Sequence, residues 1–159
     1  MNTERVRLLD TAEMLGDFGV EVFATNCGRS PAHMTYAFVS GEWLDSGKSL
    51  PKQADWSDMS DDPEADYKTS RWVLPDQKVS VGWEDPSHLI NDKNSPDLKA
   101  RVLEGKTVLW VFGRFRYEDT ISGDHYESRF CYRISFFLSG KPMILGGGPP
   151  EYTNVFKVI

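Results

Sequence analysis

Apolar and polar residues alternate along most of this chain, a pattern with a period of two that predicts β-strands rather than helices. The alternation recurs over residues 19–25, 33–43, 78–83, 107–118 and 125–138, with shorter candidates at 5–9, 72–74 and 152–159. Glycine, proline and asparagine separate these segments and indicate turns. Within the third segment, Val79, Val81 and Trp83 are expected on one face, and Met34, Tyr36 and Phe38 on one face of the second.

Two short segments carry helical signals instead. Asp10 followed by Glu13 resembles a capping box and predicts a single helical turn. Further along, a serine and a proline at the first helical position predict a short helix over about residues 96–104, which Gly105 can close.

Many short strands with one small helix predict an all-β fold, an antiparallel immunoglobulin-like β-sandwich with one short helix. A small barrel is the alternative. The 159 residues suit one domain, and no shift in composition marks a second, so residues 1–159 are expected to form a single β-sandwich domain.

The two longest strand segments predict a hairpin whose register follows from charge. Pairing Glu118 with His125 places Arg116 opposite Glu127, so that opposite charges meet across the strands. This register predicts a charged ladder on the solvent face, with a surface ion pair between Arg116 and Glu127 worth about 0–1 kcal/mol. Phe115 and Tyr117 share the other face, and Trp110, Phe115, Tyr117, Phe130 and Tyr132 are expected to supply much of the aromatic surface around the core.

The acidity of the chain is local. Its formal net charge is −6, and the six acids Asp55, Asp58, Asp61, Asp62, Glu64 and Asp66 account for all of it. Such a block of like charges predicts a long exposed acidic loop at about 45–70, with a cation site in that loop as the alternative. The acidic balance excludes a strongly basic nucleic-acid binder, and no apolar run is long enough to span a bilayer.

Asn26, Gly28 and Pro31 lie in a segment that reads as a structural turn. Asparagine and glycine tolerate a positive φ, and proline fixes φ before the next strand. Asn26 can also hydrogen-bond to its own backbone.

This segment, Asn26-Cys27-Gly28-Arg29-Ser30-Pro31-Ala32, is followed by Gly113-Arg114-Phe115-Arg116-Tyr117-Glu118-Asp119, then by His125 and Phe130-Cys131. Together these motifs resemble a set of uncharacterised bacterial membrane-anchored proteins that carry N-x-G-(R/K)-(T/S)-P-A and G-x-x-x-Y-x-D followed by H-x-x-x-F-C. In that set the motifs usually lie in an extramembrane β-sandwich domain after one or two membrane helices. The resemblance implies one of two alternatives. Either this chain is a piece of a longer protein that associates with a membrane through a segment not present here, or it is a soluble member of the set. It implies no activity and no catalytic residue.

The candidate chemistry is sparse. His125, Glu127 and Asp119 are close in sequence and form a candidate metal site, with a polar cross-strand ladder as the alternative interpretation. Cys27 and Cys131 could pair in an oxidising compartment. No residue pattern predicts a catalytic group or a cofactor.

Trp43, Trp56 and Trp72 flank or lie in the acidic stretch and form a candidate contact surface, the alternative being that they cover the core. The sequence therefore predicts a non-enzymatic interaction or sensing module that binds an unidentified protein or small ligand. A metal-dependent binding domain or enzyme is the alternative.

Overall fold

The computed structural model describes residues 6–51, 70–136 and 141–158. These residues form nine strands, two α-helices and one 3-10 turn. The strands are β1 (Leu8–Leu15), β2 (Gly19–Asn26), β3 (Ala32–Asp45), β4 (Arg71–Val73), β5 (Lys78–Glu84), β6 (Thr107–Asp119), β7 (His125–Ser135), β8 (Met143–Gly146) and β9 (Val155–Val158). The helices are α1 (Ser87–Ile90) and α2 (Pro96–Leu103), and the 3-10 turn is Pro150–Tyr152. The acidic segment 55–66 and Trp56 lie outside the described residues.

The strands form two antiparallel sheets that pack face to face. The small sheet has the order β1-β2-β5, and the large sheet has the order β4-β3-β6-β7-β8, with β9 also paired to β7. The core lies between them, where Val22 of the small sheet and Phe115 and Phe130 of the large sheet are almost fully buried. An all-β sandwich is therefore confirmed, and its immunoglobulin-like character stays a prediction.

The β6–β7 hairpin has the predicted register. Glu118 lies opposite His125, and Arg116 lies opposite Glu127. In the connecting loop, the Asp119 carboxylate accepts a hydrogen bond from the backbone N–H of Ile121 at 2.9 Å. The alternation of aromatic and charged residues was sufficient to fix this pairing, because a slip of one residue would turn every side chain to the other face.

The helical turn predicted after Asp10 is wrong, since this segment belongs to strand β1. Leu8 is buried and the next residue is exposed, as a strand with one buried face requires. Asp10 shares the inward face of Leu8 and accepts a hydrogen bond from the Tyr132 hydroxyl of the opposite sheet. Strand pairing and burial outweigh the local capping signal here.

Two β-bulges overturn the predicted shared faces. In β3, Met34 pairs with Tyr117 but Tyr36 pairs with Arg116, so Thr35 is an extra residue. Since directly opposite residues share a face, Met34 points into the core and Tyr36 points outward. An extra residue in β5, next to Gly82, has the same effect. It turns Trp83 outward, so Trp83 does not share one face with Val79 and Val81 as predicted.

Helix α2 confirms the predicted helix, and Gly105 ends it at a positive φ of 72°. Helix α1 was not predicted, because the residues around it are mostly polar. Its start is fixed by Asp85, whose carboxylate accepts a hydrogen bond from the backbone N–H of Ser87 at 3.0 Å. Its one fully buried side chain, Ile90, anchors it to the domain.

Candidate functional site

The face of the large sheet that points away from the small sheet carries the charged residues of the hairpin, and we call it the outer face. Cross-strand pairing arranges it in rows, because directly opposite residues share a face. One row joins Tyr36, Arg116, Glu127 and Phe156 across β3, β6, β7 and β9. The next row includes Phe38, Arg114 and Arg129.

Glu127 is the centre of this face and is only 2% exposed. Its Oε1 accepts hydrogen bonds from Arg114 Nη1 at 3.1 Å and from Arg116 Nε at 3.0 Å. Its Oε2 accepts a hydrogen bond from Arg129 Nε at 2.9 Å. The prediction that Arg116 and Glu127 form an ion pair at the surface is therefore wrong about the exposure of Glu127, because its carboxylate is buried under three guanidinium groups.

The electrostatics of Glu127 follow from these contacts. Burial alone would raise the pKa of its carboxyl, but the hydrogen bonds from Arg116 and Arg129 and the charge of Arg114 outweigh burial and lower it. Glu127 is therefore held as a carboxylate. These four residues carry a formal excess of two positive charges, in a chain whose formal net charge is −6.

Aromatic rings cover the guanidinium groups. The Tyr36 ring lies 5.4 Å from the Arg114 guanidinium carbon and 5.7 Å from that of Arg116, and the Phe156 ring lies 4.9 Å from that of Arg129. These are cation–π distances. Tyr36 reaches this position because the bulge at Thr35 turns it outward. Bulges that redirect a side chain in this way are common beside binding sites.

A row of two histidines and one glutamate borders the arginines toward the hairpin loop. His33, Glu118 and His125 lie side by side on β3, β6 and β7. The His33 ring stacks on Trp72 at 5.1 Å, and its Nε2 lies 2.8 Å from Ser70 Oγ. This row adds hydrogen-bonding groups and an aromatic surface to the same face.

The structure does not assemble the candidate metal site. Glu127 is engaged by arginines, and His125 shares its face, but Asp119 alternates to the inner face of β6 and is buried. Across residues 6–51, 70–136 and 141–158, no group of three His, Cys, Asp or Glu side chains could hold a metal ion. The polar cross-strand ladder is the interpretation that matches the described geometry.

The candidate tryptophan surface is not one surface among the described residues. Trp72 is 59% exposed on β4, whereas Trp43 packs against the core with its ring 5.9 Å from that of Phe136. Trp72 pairs with His33, ten residues from Trp43 along β3, which is about 33 Å. Of the two candidate tryptophans that the structure describes, Trp72 contributes to the outer face and Trp43 does not.

The turn motif acts through hydrogen bonds. Asn26 is fully buried, and its Nδ2 donates to the carbonyl oxygens of Ser30 at 2.8 Å and Val73 at 2.9 Å. Its Oδ1 accepts from Gly28 N at 2.9 Å, as predicted for a residue that bonds to nearby backbone. The turn does not depend on a positive φ at Gly28, because Gly28 does not adopt one. The Pro31 carbonyl accepts from Thr120 Oγ1 at 2.9 Å.

The other motif glycine has a steric role. A Cβ on Gly113 would overlap the backbone carbonyl of Phe38 and lie 2.6 Å from the Phe130 ring. Glycine therefore lets β3 approach β6 at the centre of the sandwich.

Both cysteines are free thiols, so the Cys27–Cys131 disulfide does not form in this structure. Cys27 is exposed, and Cys131 is buried with Trp110 and Tyr152 in a small second apolar cluster. Burial raises the pKa of Cys131 to about 12, which keeps it protonated and unreactive.

Comparisons of the chain with family models, with curated proteins and with solved structures return no match. Among the described residues, no helix has the length and apolar character needed to cross a bilayer.

Proposed function

We propose that this chain is a non-enzymatic, immunoglobulin-like interaction module whose outer face recognises an acidic segment of a partner protein. The single observation that carries the proposal is the convergence of Arg114, Arg116 and Arg129 on the buried carboxylate of Glu127.

This cluster is costly as a purely structural device. Removing several charges from water opposes folding, and replacing a buried ion pair by apolar residues is often neutral or stabilising. Among the described residues, the cluster holds three arginines and one acid, a composition suited to preorganise guanidinium groups for an anion. Glu127 holds three of them in fixed positions, so less side-chain entropy is lost when a partner binds.

The extent of the face favours a protein segment over a single small anion. Four neighbouring strands, β3, β6, β7 and β9, carry it, a width of about 14 Å. Arginine and tyrosine are also the residues that dominate binding energy in protein interfaces. Arg116, with 37% of its side chain exposed, is the most accessible arginine of the cluster.

A titration with a synthetic Asp/Glu-rich peptide, followed by calorimetry, tests the proposal. We expect saturable binding that weakens with salt, because the attraction between the guanidinium and carboxylate groups is screened. Arg116→Gln should weaken binding at least about tenfold, since a charged pair at the centre of an interface typically contributes that much. Inorganic phosphate in a parallel titration shows whether a simple anion suffices.

Arg101→Gln is the matched control. Arg101 lies on α2, has 49% of its side chain exposed and pairs with Asp45 at the far end of β3. The substitution therefore removes the same charge at a position away from the outer face. Equal weakening by both variants would mean that only net charge matters and would refute the proposal. If phosphate bound saturably and Arg116→Gln weakened phosphate binding as much as peptide binding, a simple anion would suffice, and the proposal that the ligand is a protein segment would be wrong.

The resemblance to membrane-anchored bacterial proteins supports a second, separate proposal, that the module is held at a membrane by a segment outside this chain. It rests on the motif residues from Asn26 to Ala32 and from Gly113 to Asp119. Fractionation of cells that express the native gene tests it. Recovery in the membrane pellet is expected, and recovery only in the soluble fraction would contradict it.

A further inference from the structure

A surface cavity of about 370 Å³ lies on the outer face, at the end away from the hairpin loop. Trp110 places it there, because this residue alternates along β6 with the arginines of the outer face and lies four residues farther from the loop than Arg114. The volume falls within the range of small-molecule sites, about 300–1,000 Å³. The cavity is lined by Ser49, Trp110, Gly148, Pro149, Pro150 and Glu151.

The segment from Gly148 to Tyr152 forms one wall of the cavity and is anchored at both ends. A Cβ on Gly148 would lie 2.7 Å from Cys131 Sγ, so glycine lets this segment lie close against β7. At the other end, Tyr152 is buried in the same small apolar cluster as Cys131. The two prolines between these anchors have a fixed φ. The wall is therefore preformed, as small-molecule sites usually are.

Glu151 brings a carboxylate to this wall. Its Oε2 is buried and accepts no hydrogen bond within the described part of the chain. The neighbouring Arg129 is engaged elsewhere, since its Nε donates to Glu127 and its Nη1 donates to the backbone carbonyl oxygen of Glu151 at 3.2 Å. Burying a carboxylate oxygen costs free energy unless a donor or a cation offsets the cost. This wall therefore favours a ligand that carries a positively charged donor.

A second polar group without a partner belongs to the same cavity. Trp110 is only 8% exposed, and its indole Nε1–H makes no hydrogen bond within residues 6–51, 70–136 and 141–158. Buried indole N–H groups usually have an acceptor. Trp110 and Glu151 thus bring one unsatisfied donor and one unsatisfied acceptor to walls that otherwise consist of two prolines, a glycine and a serine. A ligand complementary to these walls has an apolar body, a cationic donor and an oxygen acceptor.

We infer that this cavity binds a small amino alcohol, an organic amine that also carries a hydroxyl group on an apolar body. Its ammonium group pairs with Glu151, its hydroxyl oxygen accepts a hydrogen bond from Trp110, and its apolar body packs on the two prolines. No side chain of the arginine cluster lines the cavity, and the ligand has the opposite charge to the acidic segment proposed for that cluster.

Calorimetric titration with phenylethanolamine tests the inference. We expect saturable binding with a Kd of about 0.1–1 mM, as befits so small a ligand. The alcohol α-methylbenzyl alcohol keeps the ring and the hydroxyl but lacks the amine, and it should bind at least about tenfold more weakly because it cannot pair with Glu151. Phenethylamine lacks only the hydroxyl and should bind about two- to tenfold more weakly, the usual worth of one neutral hydrogen bond.

Two glutamate variants test the charge. Glu151→Gln should reduce the binding of phenylethanolamine to the level of α-methylbenzyl alcohol, because the variant no longer carries the negative charge. Glu104→Gln is the matched control, since Glu104 lies on the surface, pairs with Lys106 and does not line the cavity. It removes the same charge from the chain and should leave binding unchanged.

Two serine variants locate the site. Ser49 is exposed, so Ser49→Phe can be accommodated by the fold while it fills the cavity, and we expect it to abolish binding. Ser46 is also exposed but does not line the cavity. Ser46→Phe therefore makes the same change three residues away and should leave binding unchanged.

Several results would overturn the inference. These are an absence of saturable phenylethanolamine binding by the unmodified chain, equal affinity for either of the two analogues, equal losses in Glu151→Gln and Glu104→Gln, or equal behaviour of Ser49→Phe and Ser46→Phe. None of these results bears on the titration of the outer face with the acidic peptide, so the two proposals can fail separately.

Discussion

Replacing Glu127 by glutamine removes a negative charge from beneath three guanidinium groups while the side chain keeps its shape. Breaking a buried ion pair by removing one partner costs about 3–5 kcal/mol. Arg116 and Arg129 are 37% and 20% exposed in their side chains, and water will screen part of their repulsion. We therefore expect Glu127→Gln to lower the free energy of unfolding by about 2–3 kcal/mol, with Arg114 as the main source, because only 8% of its side chain is exposed.

Urea unfolding followed by tryptophan fluorescence and by far-UV circular dichroism measures this loss. Glu104→Gln is the matched control, since Glu104 pairs with Lys106 on the surface with 46% of its side chain exposed. That change should stay within about 0.5 kcal/mol. If Glu127→Gln cost no more than Glu104→Gln, the carboxylate would not hold the arginines together, and the account of the outer face would be wrong.

The pH dependence of the same comparison has a definite sign. Because the pKa of Glu127 is lower in the folded chain, the stability that its charge supplies is fully present above the ordinary glutamate value of 4.5. It is lost as the pH falls through the lowered pKa. The difference in stability between the unmodified chain and Glu127→Gln should therefore be constant near neutral pH and shrink below about pH 4.

Three further results are expected. Burial raises the pKa of Asp10, so the stability that its protonated form supplies is full below the ordinary value of 3.8 and is lost as the pH rises through the raised pKa. Asp10→Asn should therefore be more stable in urea than the unmodified chain at neutral pH, and this difference in stability should shrink on acidification. Phe115→Ala should cost about 3–5 kcal/mol in urea melts, because the ring is fully buried between the sheets. A thiol reagent should modify Cys27 rapidly in the native chain and Cys131 only after unfolding, and two fast thiols or none would contradict the described burial.

The hairpin could be predicted from the sequence because its two signals agree. The aromatic residues alternate with charged ones on both strands, and the pairing of Arg116 with Glu127 fits the same register. Helix α2 was predictable for a similar reason, since a proline at its start and Gly105 at its end both mark its bounds.

The bulges could not be predicted, and the candidate site depends on one of them. An inserted residue such as Thr35 leaves the apolar pattern almost unchanged, yet it turns Tyr36 from the core to the outer face. Alternation also assigns Arg114 and Glu127 to a common face without showing what covers that face. The sequence therefore predicted the charged ladder but not the burial of Glu127.

The side-chain Nε–Hε signals of the arginines give the most direct test of the outer face as a recognition surface. In a titration of the ¹⁵N-labelled chain with the Asp/Glu-rich peptide, we expect the signals of Arg116 and Arg129 to shift together and to saturate. Their N–H groups already donate to Glu127, so a carboxylate that binds beside them must perturb both. The signal of Arg101 should stay in place. Unmoved signals for Arg116 and Arg129, or an equal shift of Arg101, would contradict the central claim.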